Sequence, residues 1–287
     1  MSPSWLQIII LAFLQGAAEL LPVSSSAHVI LAEKLMGLDP SRPELTFLLV
    51  MLHTGTMFAV IVYFWSAWTE SYFSSLDRFL AALPRVAIAS GFTFVLGYGL
   101  KVVIEKVVLG GGAKAEVEDL FSNLTLVGAA LVAAGLLIIV SGLATKGKDG
   151  GREVTLPASG WIGIVQALCL PFRGFSRSGA TISTAMLLGT GRRQAEEFSF
   201  ALAVILTPPA VLWELHRLLK VNSAAAQPVH LTSLLLPGLV GMVGSFLAGL
   251  LALRLLSSWL ESGRWHYFGF YCLVLAGIVF GLAWAGF

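Results

Sequence analysis

A chain of 287 residues that is 57% hydrophobic and 12% charged falls well below the roughly 25% charge of an ordinary soluble domain. With a mean hydropathy of +0.85 and long apolar runs, it reads as an integral membrane protein. A formal charge of +2, without a basic run interleaved with aromatics, gives no sign of a nucleic-acid partner. Cys169 and Cys272, the only cysteines, lie in apolar contexts and read as small buried hydrophobes rather than a disulfide or metal pair.

The N-terminal leader MSPSW carries no Lys or Arg, and Gln15 and Glu19 interrupt the apolar run behind it. Both features argue for mature structure rather than a cleaved signal peptide. The first apolar stretch, 5–36, is broken around Pro22 into halves 5–21 and 24–36. Three stretches follow at 45–66, 84–106 and 121–143, each near the ~20 residues a bilayer-crossing helix needs. After a linker, 144–159, a second broken stretch covers 160–190 with halves 160–170 and 176–190. Spans at 197–217, 232–255 and 267–286 complete the chain, the first of these carrying Pro208-Pro209 as a predicted kink. Trp65, Trp68, Trp161, Trp259 and Trp265 fall near predicted ends, as interface anchors do. Glu214, His216 and Arg217, closing the fourth span, snorkel to the interface on this reading.

Broken apolar helices at membrane depth are tolerated only where protein buries them or water lines them. The predicted fold class is therefore an all-α integral membrane protein, with six transmembrane helices plus two re-entrant helix–loop–helix hairpins. The two breaks share a pattern. Gln15, Pro22 and Ser24-Ser25-Ser26 in the first correspond to Gln166, Pro171 and Ser176-Arg177-Ser178 in the second, 151 positions on from Gln15 to Gln166. Each break is followed by three spans. The single membrane domain 1–287 thus divides into a first repeat, 1–143, and a second, 160–287. An odd number of spans between the hairpins inverts one repeat relative to the other, a design that puts binding sites where half-helix ends meet near the midplane.

Orientation follows from basic residues. Arg78, Arg85, Lys146, Lys148, Arg152, Arg192, Arg193, Arg254 and Arg264 fall on one side, and Lys34, Arg42, Lys106, Lys114, Arg217 and Lys220 on the other. Nine against six favours both termini outside the cytoplasm, with the first hairpin opening outward.

The breaks also carry the chemistry. A helix restarting after Pro22 offers the N–H groups of Ser24 to Ala27, and one restarting near Ser176 offers those of Arg177 to Gly179. Such groups lack intrahelical partners and sit at the positive dipole end, which suits a phosphate. Gly174 and Gly179 let ligand oxygens approach the backbone, and Arg177 adds a charged planar fork. Glu19, a carboxylate within an apolar run, marks a functional site. Gln15, four residues earlier on the same face, makes with it an oxygen pair for Mg²⁺ or Ca²⁺. A structural ion pair between Glu19 and Arg177 is the plainer alternative. His28 follows Ser24 by four residues and Ser25 by three, so serine and histidine can act as nucleophile and acid/base; the plainer alternative is a histidine capping its own helix. His53, Thr54 and Gln166 are candidates to line the pocket, and core packing accounts for His53 equally well.

At these residues the chain resembles the bacterial undecaprenyl pyrophosphate phosphatases. That family carries Glu/Gln-x-x-x-Glu running into Pro-Val-Ser-Ser with a following His, and a second motif, Pro-Gly-x-Ser-Arg-Ser-x-x-Thr. The first is matched by Gln15-x-x-x-Glu19, Pro22-Val23-Ser24-Ser25 and His28, and the second by Gly174 through Ser176-Arg177-Ser178 to Thr181. The resemblance implies that Gln15 and Glu19 position a metal or a water, with Ser25 as nucleophile, His28 as acid/base and Arg177 as phosphate clamp; attack by metal-bound water is the alternative to the serine. Ser24, Ser26, Arg173, Gly174, Ser176, Ser178, Gly179 and Thr181 then form the phosphate-binding set. Arg173 stands where the family has proline, which adds charge and relaxes the backbone. The type-2 phosphatidic acid phosphatase pattern fails, because the sixth residue after Arg177 is Ser183 rather than histidine.

The expected activity is removal of one phosphate from undecaprenyl pyrophosphate in the bacterial inner membrane, recycling the cell-wall lipid carrier. A transporter or flippase of polyprenyl phosphate lipids is the alternative, since an inverted repeat with a midplane anion site serves either. Expected partners are the lipid substrate and membrane lipids, with a second copy of the chain as a further candidate and no nucleic acid.

Overall fold

In a computed structural model of the chain, residues 3–39, 42–110, 120, 123–147, 151–224 and 231–286 are described. They form ten α-helices and no strand. Lys114 and Lys148, counted in the charge balance, lie outside the described residues.

The element order repeats itself. A pair of short helices, α1 (Trp5–Leu20) and α2 (Ser25–Leu35), precedes three long ones: α3 (Pro43–Ser71), α4 (Leu76–Val103) and α5 (Leu124–Ala144). A second short pair, α6 (Leu156–Cys169) and α7 (Arg177–Leu187), precedes α8 (Arg192–Ala224), α9 (Leu231–Glu261) and α10 (His266–Trp284). The last turns of α4 widen into a π-helix, Ile104–Val108. Among the described residues six helices are long and apolar enough to cross a membrane, one for each predicted span.

Two helices begin ahead of the hydropathy limits for local reasons. α4 begins at Leu76 rather than 84, because Ser75 caps it by accepting the Arg78 N–H at 3.2 Å, and the helix runs on through Pro84. Thr155 caps α6 in the same way through the Ala158 N–H, with proline in the first turn, so the helix starts four residues before 160. Asn123 caps α5 by accepting the Leu126 N–H at 3.0 Å. Side-chain caps of this kind satisfy N–H groups that the helix cannot.

The described chain packs as two compact units: residues 1–20, 25–65 and 203–256 in the first, and 21–24, 66–202 and 257–287 in the second. In the first unit Ile8, Leu11 and Ala12 of α1 meet Leu45, Leu48 and Leu52 of α3 and Val29 of α2, at the i, i+3, i+4, i+7 spacing of facing helix stripes. The Ser245 hydroxyl of α9 donates to the Leu52 carbonyl at 2.9 Å. A methyl at Gly16 would lie 2.5 Å from the Ser245 carbonyl oxygen. Only glycine therefore lets the last turn of α1 seat on α9.

In the second unit α4 packs on α6, and α5 on α7 and α10. Trp265 is fully buried and shares its indole N–H between Ser183 of α7 and Ser141 of α5, at 3.0 and 3.2 Å. The start of α8 is a polar anchor. Arg192 donates to the Thr145 and Glu261 carbonyls, Ser257 donates to Glu196 at 2.5 Å, and Glu197 accepts from Arg193 and Ser71 at 2.8 and 2.9 Å. Buried charge of this kind is tolerable only when so partnered.

Candidate active site

Glu19 ends α1 and Ser25 begins α2, and the turn between them folds the two together. The Ser25 hydroxyl donates to Glu19 Oε2 at 2.5 Å, a length typical of a charge-assisted O–H···O⁻ bond. Gln15 Nε2 donates to the same oxygen at 3.2 Å, as the i, i+4 spacing requires. His53 of α3 brings Nε2 to 3.9 Å from that oxygen. Its Nδ1 lies 2.8 Å from the Leu49 carbonyl, which can only accept, so Nδ1 carries a proton and Nε2 is the atom turned toward the carboxylate. Glu19 is thus the centre of a cluster of Gln15, Ser25 and His53.

Ser24 sits just before α2 with φ 66°, a left-handed conformation that costs a non-glycine residue roughly 1–2 kcal/mol. It is buried, whereas Ser25, Ser26 and His28 are half-buried. Thr54 donates to the Val50 carbonyl of its own helix at 2.8 Å. Gln166 is buried between α6 and α4 and donates to Thr93 at 3.0 Å, while its Oε1 is buried without a hydrogen-bond partner among the described residues. The repeated glutamines therefore have different neighbours: Gln15 a carboxylate, Gln166 a threonine.

The second motif opens α7. Ser176 caps the helix and accepts the Gly179 N–H at 3.3 Å. Of the three N–H groups expected to face an anion, Gly179's is thereby taken by the helix's own cap. Gly174 has φ 104°, and a Cβ there would run into the Val127 carbonyl oxygen of α5. A methyl at Gly179 would meet Ile138 at 2.8 Å and Pro22 at 3.2 Å. Both glycines thus serve close packing around the start of α7. Arg173 and Arg177 are half-buried.

Within the second unit the two breaks meet. Ser178 Oγ donates to the Leu21 carbonyl at 3.4 Å, and the Cys272 thiol to the Pro22 carbonyl at 3.3 Å. Both cysteines are free thiols. Thr181 donates to the Arg177 carbonyl at 2.8 Å and lies 2.6 Å from Ser199 Oγ on α8. Sequence reasoning gave His53 only a lining role and passed over Ser199 altogether. The one advance signal for either was a polar residue on the inner face of an otherwise apolar span.

These features define a multi-pass helical membrane protein with a serine–carboxylate centre. The chain belongs to the family described as bacitracin resistance protein BacA, whose sequence profile matches residues 8–278. It is 59% identical over 280 residues to undecaprenyl-diphosphatase 2 of Acinetobacter baylyi, covering 97% of this chain and 98% of that one. It is 32% identical over 281 residues to an undecaprenyl-diphosphatase of Korarchaeum cryptofilum, covering 96% and 98%. A third relative of that name, from Desulfosudis oleivorans, is 34% identical over 294 residues, covering 95% and 96%.

Proposed function

We propose that this chain is an undecaprenyl-diphosphatase, converting undecaprenyl pyrophosphate and water to undecaprenyl phosphate and inorganic phosphate. The observation that carries the reading is the 2.5 Å bond from Ser25 to Glu19, which joins a nucleophile to a base in a chain whose relatives bear that name. Ser25 Oγ attacks the terminal phosphorus as its proton passes to Glu19. The bond from that phosphorus to the bridging oxygen breaks, and His28, three residues on in α2, donates the proton that the departing lipid phosphate takes up. Water then cleaves the phosphoserine and frees phosphate. The role of Arg177 at the start of α7 as phosphate clamp is carried over from the family resemblance, phosphoryl transfer needing such positive charge. Ser24, Ser26, Arg173 and Ser176 complete that binding set.

The donor set fits a loosely held divalent cation. Glu19 offers one carboxylate, Gln15 an amide oxygen and His53 a ring nitrogen, and no group of three or more His, Cys, Asp and Glu is gathered among the described residues. A hard cation bound by one carboxylate fills its remaining positions with water and substrate phosphate. When bound, Mg²⁺ or Ca²⁺ supplies positive charge that offsets the pyrophosphate.

We further read the two short helix pairs as re-entrant hairpins of an inverted repeat, and place the chain in the bacterial inner membrane with the first pair opening to the outer side. The nine-against-six distribution of basic residues supports that orientation. No observation favours the transporter reading over the enzyme.

The test is phosphate release from undecaprenyl pyrophosphate by the purified chain with Mg²⁺ or Ca²⁺. Wild type releases phosphate, Ser25→Ala falls to background, and Glu19→Gln loses about 10²–10⁴-fold, the usual worth of a general base. Full activity in Ser25→Ala would remove the serine from the reaction, and no release by wild type would end the phosphatase reading.

A further inference from the structure

We propose that Ser199 of α8 is a positioning residue for the phosphate-binding end of α7, acting through Thr181; this rests on the reading of α7 as the phosphate clamp. Thr181 is fully buried and Ser199 nearly so. The Thr181 hydroxyl gives its one proton to the Arg177 carbonyl at 2.8 Å, an oxygen that can only accept. The 2.6 Å contact with Ser199 is then made with the serine's proton. A two-bond relay therefore runs from α8, through Thr181, to the peptide of the arginine that grips phosphate.

What makes Ser199 a fixed post is the base on which it stands. In the two turns before it, Arg192 is tied to the Thr145 and Glu261 carbonyls, Glu196 to Ser257 and Glu197 to Ser71, Arg193 and the Trp68 indole. These contacts fasten the start of α8 to the ends of α3, α5 and α9. α7 has only eleven residues, and short helices hold their place by tertiary contacts rather than by their own propensity. Ser178 is tied to the Leu21 carbonyl in the turn before α2, and Ser183, held by Trp265 and Ser141, lies two residues further from the phosphate end than Thr181. Ser199 thus ties the first half of α7 to a neighbouring helix.

A clamp that shifts by a fraction of an ångström still admits the lipid, whose binding rests on its long apolar tail, but it holds the transition state less well. The loss therefore falls on kcat rather than KM. The experiment uses the full chain in detergent and undecaprenyl pyrophosphate, and compares Ser199→Thr with its isostere Ser199→Val, Thr181→Val and the double variant. We expect Ser199→Val to lose about 10- to 100-fold in kcat with KM changed by less than about threefold, the scale of a small misplacement of catalytic groups. Ser199→Thr, which restores the hydroxyl, stays within about threefold of wild type in both constants. The double variant is no slower than Thr181→Val alone, because the two residues act as one unit. Equal kcat in the Thr and Val variants, or additive losses in the double, overturns the proposal. Arg177→Ala is the separate control. If it keeps wild-type kcat, the clamp reading itself fails, whatever Ser199 does.

Discussion

At the scale of single residues, the centre is built by local geometry on a strained joint. Glu19 and Ser25 are six positions apart and meet only because the chain reverses between α1 and α2, and that reversal passes through Ser24 at φ 66°. Ser24→Ala and Ser24→Gly both remove the hydroxyl, so their difference isolates the backbone. Glycine adopts positive φ without penalty, and the glycine variant should unfold later than the alanine variant by about 1 kcal/mol. Thermal melts in one detergent read this directly, and equal stability would show that the left-handed turn carries no strain. Much of the centre was legible in the residues themselves. A carboxylate in an apolar run, a glutamine one turn before it and a serine run behind a proline each announced polarity that lipid would not tolerate. The approach of His53 to Glu19 was not, because thirty-four positions separate them and only the packing of α1 on α3 brings them together.

At the scale of elements, hydropathy located all six long helices but misjudged their ends. The reason is plain in α8. Its first turns carry Arg192, Arg193, Glu196 and Glu197, a charged string that a hydropathy scan assigns to solvent. Three of those four residues are buried, each held by partners on other helices. The α6–α7 turn depends on a different device, the close seating of Gly174 on α5. Gly174→Ala sets a methyl against the Val127 carbonyl oxygen at a φ that alanine resists. It should cost about 2–4 kcal/mol, combining overpacking with backbone strain, and lower phosphate release through displacement of α7. A variant that melts and turns over like wild type would show that the turn relaxes freely.

At the scale of the whole molecule, the sequence disclosed the duplicated order of elements, and it also supplies the test of how the chain lies in the bilayer. With Cys169 and Cys272 replaced by alanine, a cysteine at Arg152 should resist a membrane-impermeant maleimide applied to intact cells, and a cysteine at Lys106 should react. Both positions are exposed, so access to the reagent is decided by side rather than by burial. The reverse labelling pattern would invert the proposed orientation. What no reading by halves could disclose is how the chain divides in space. The repeats proposed from the sequence split near residue 150, whereas the compact units take residues from both halves, and the turn at 21–24 belongs to the unit that holds α7 and α10. Severing the chain in the linker would leave two fragments, each with parts of both units and the whole of neither. A fragment made from either half lacks partners that its own buried surfaces require, as α1 would lose α9 and α7 would lose Ser141 of α5.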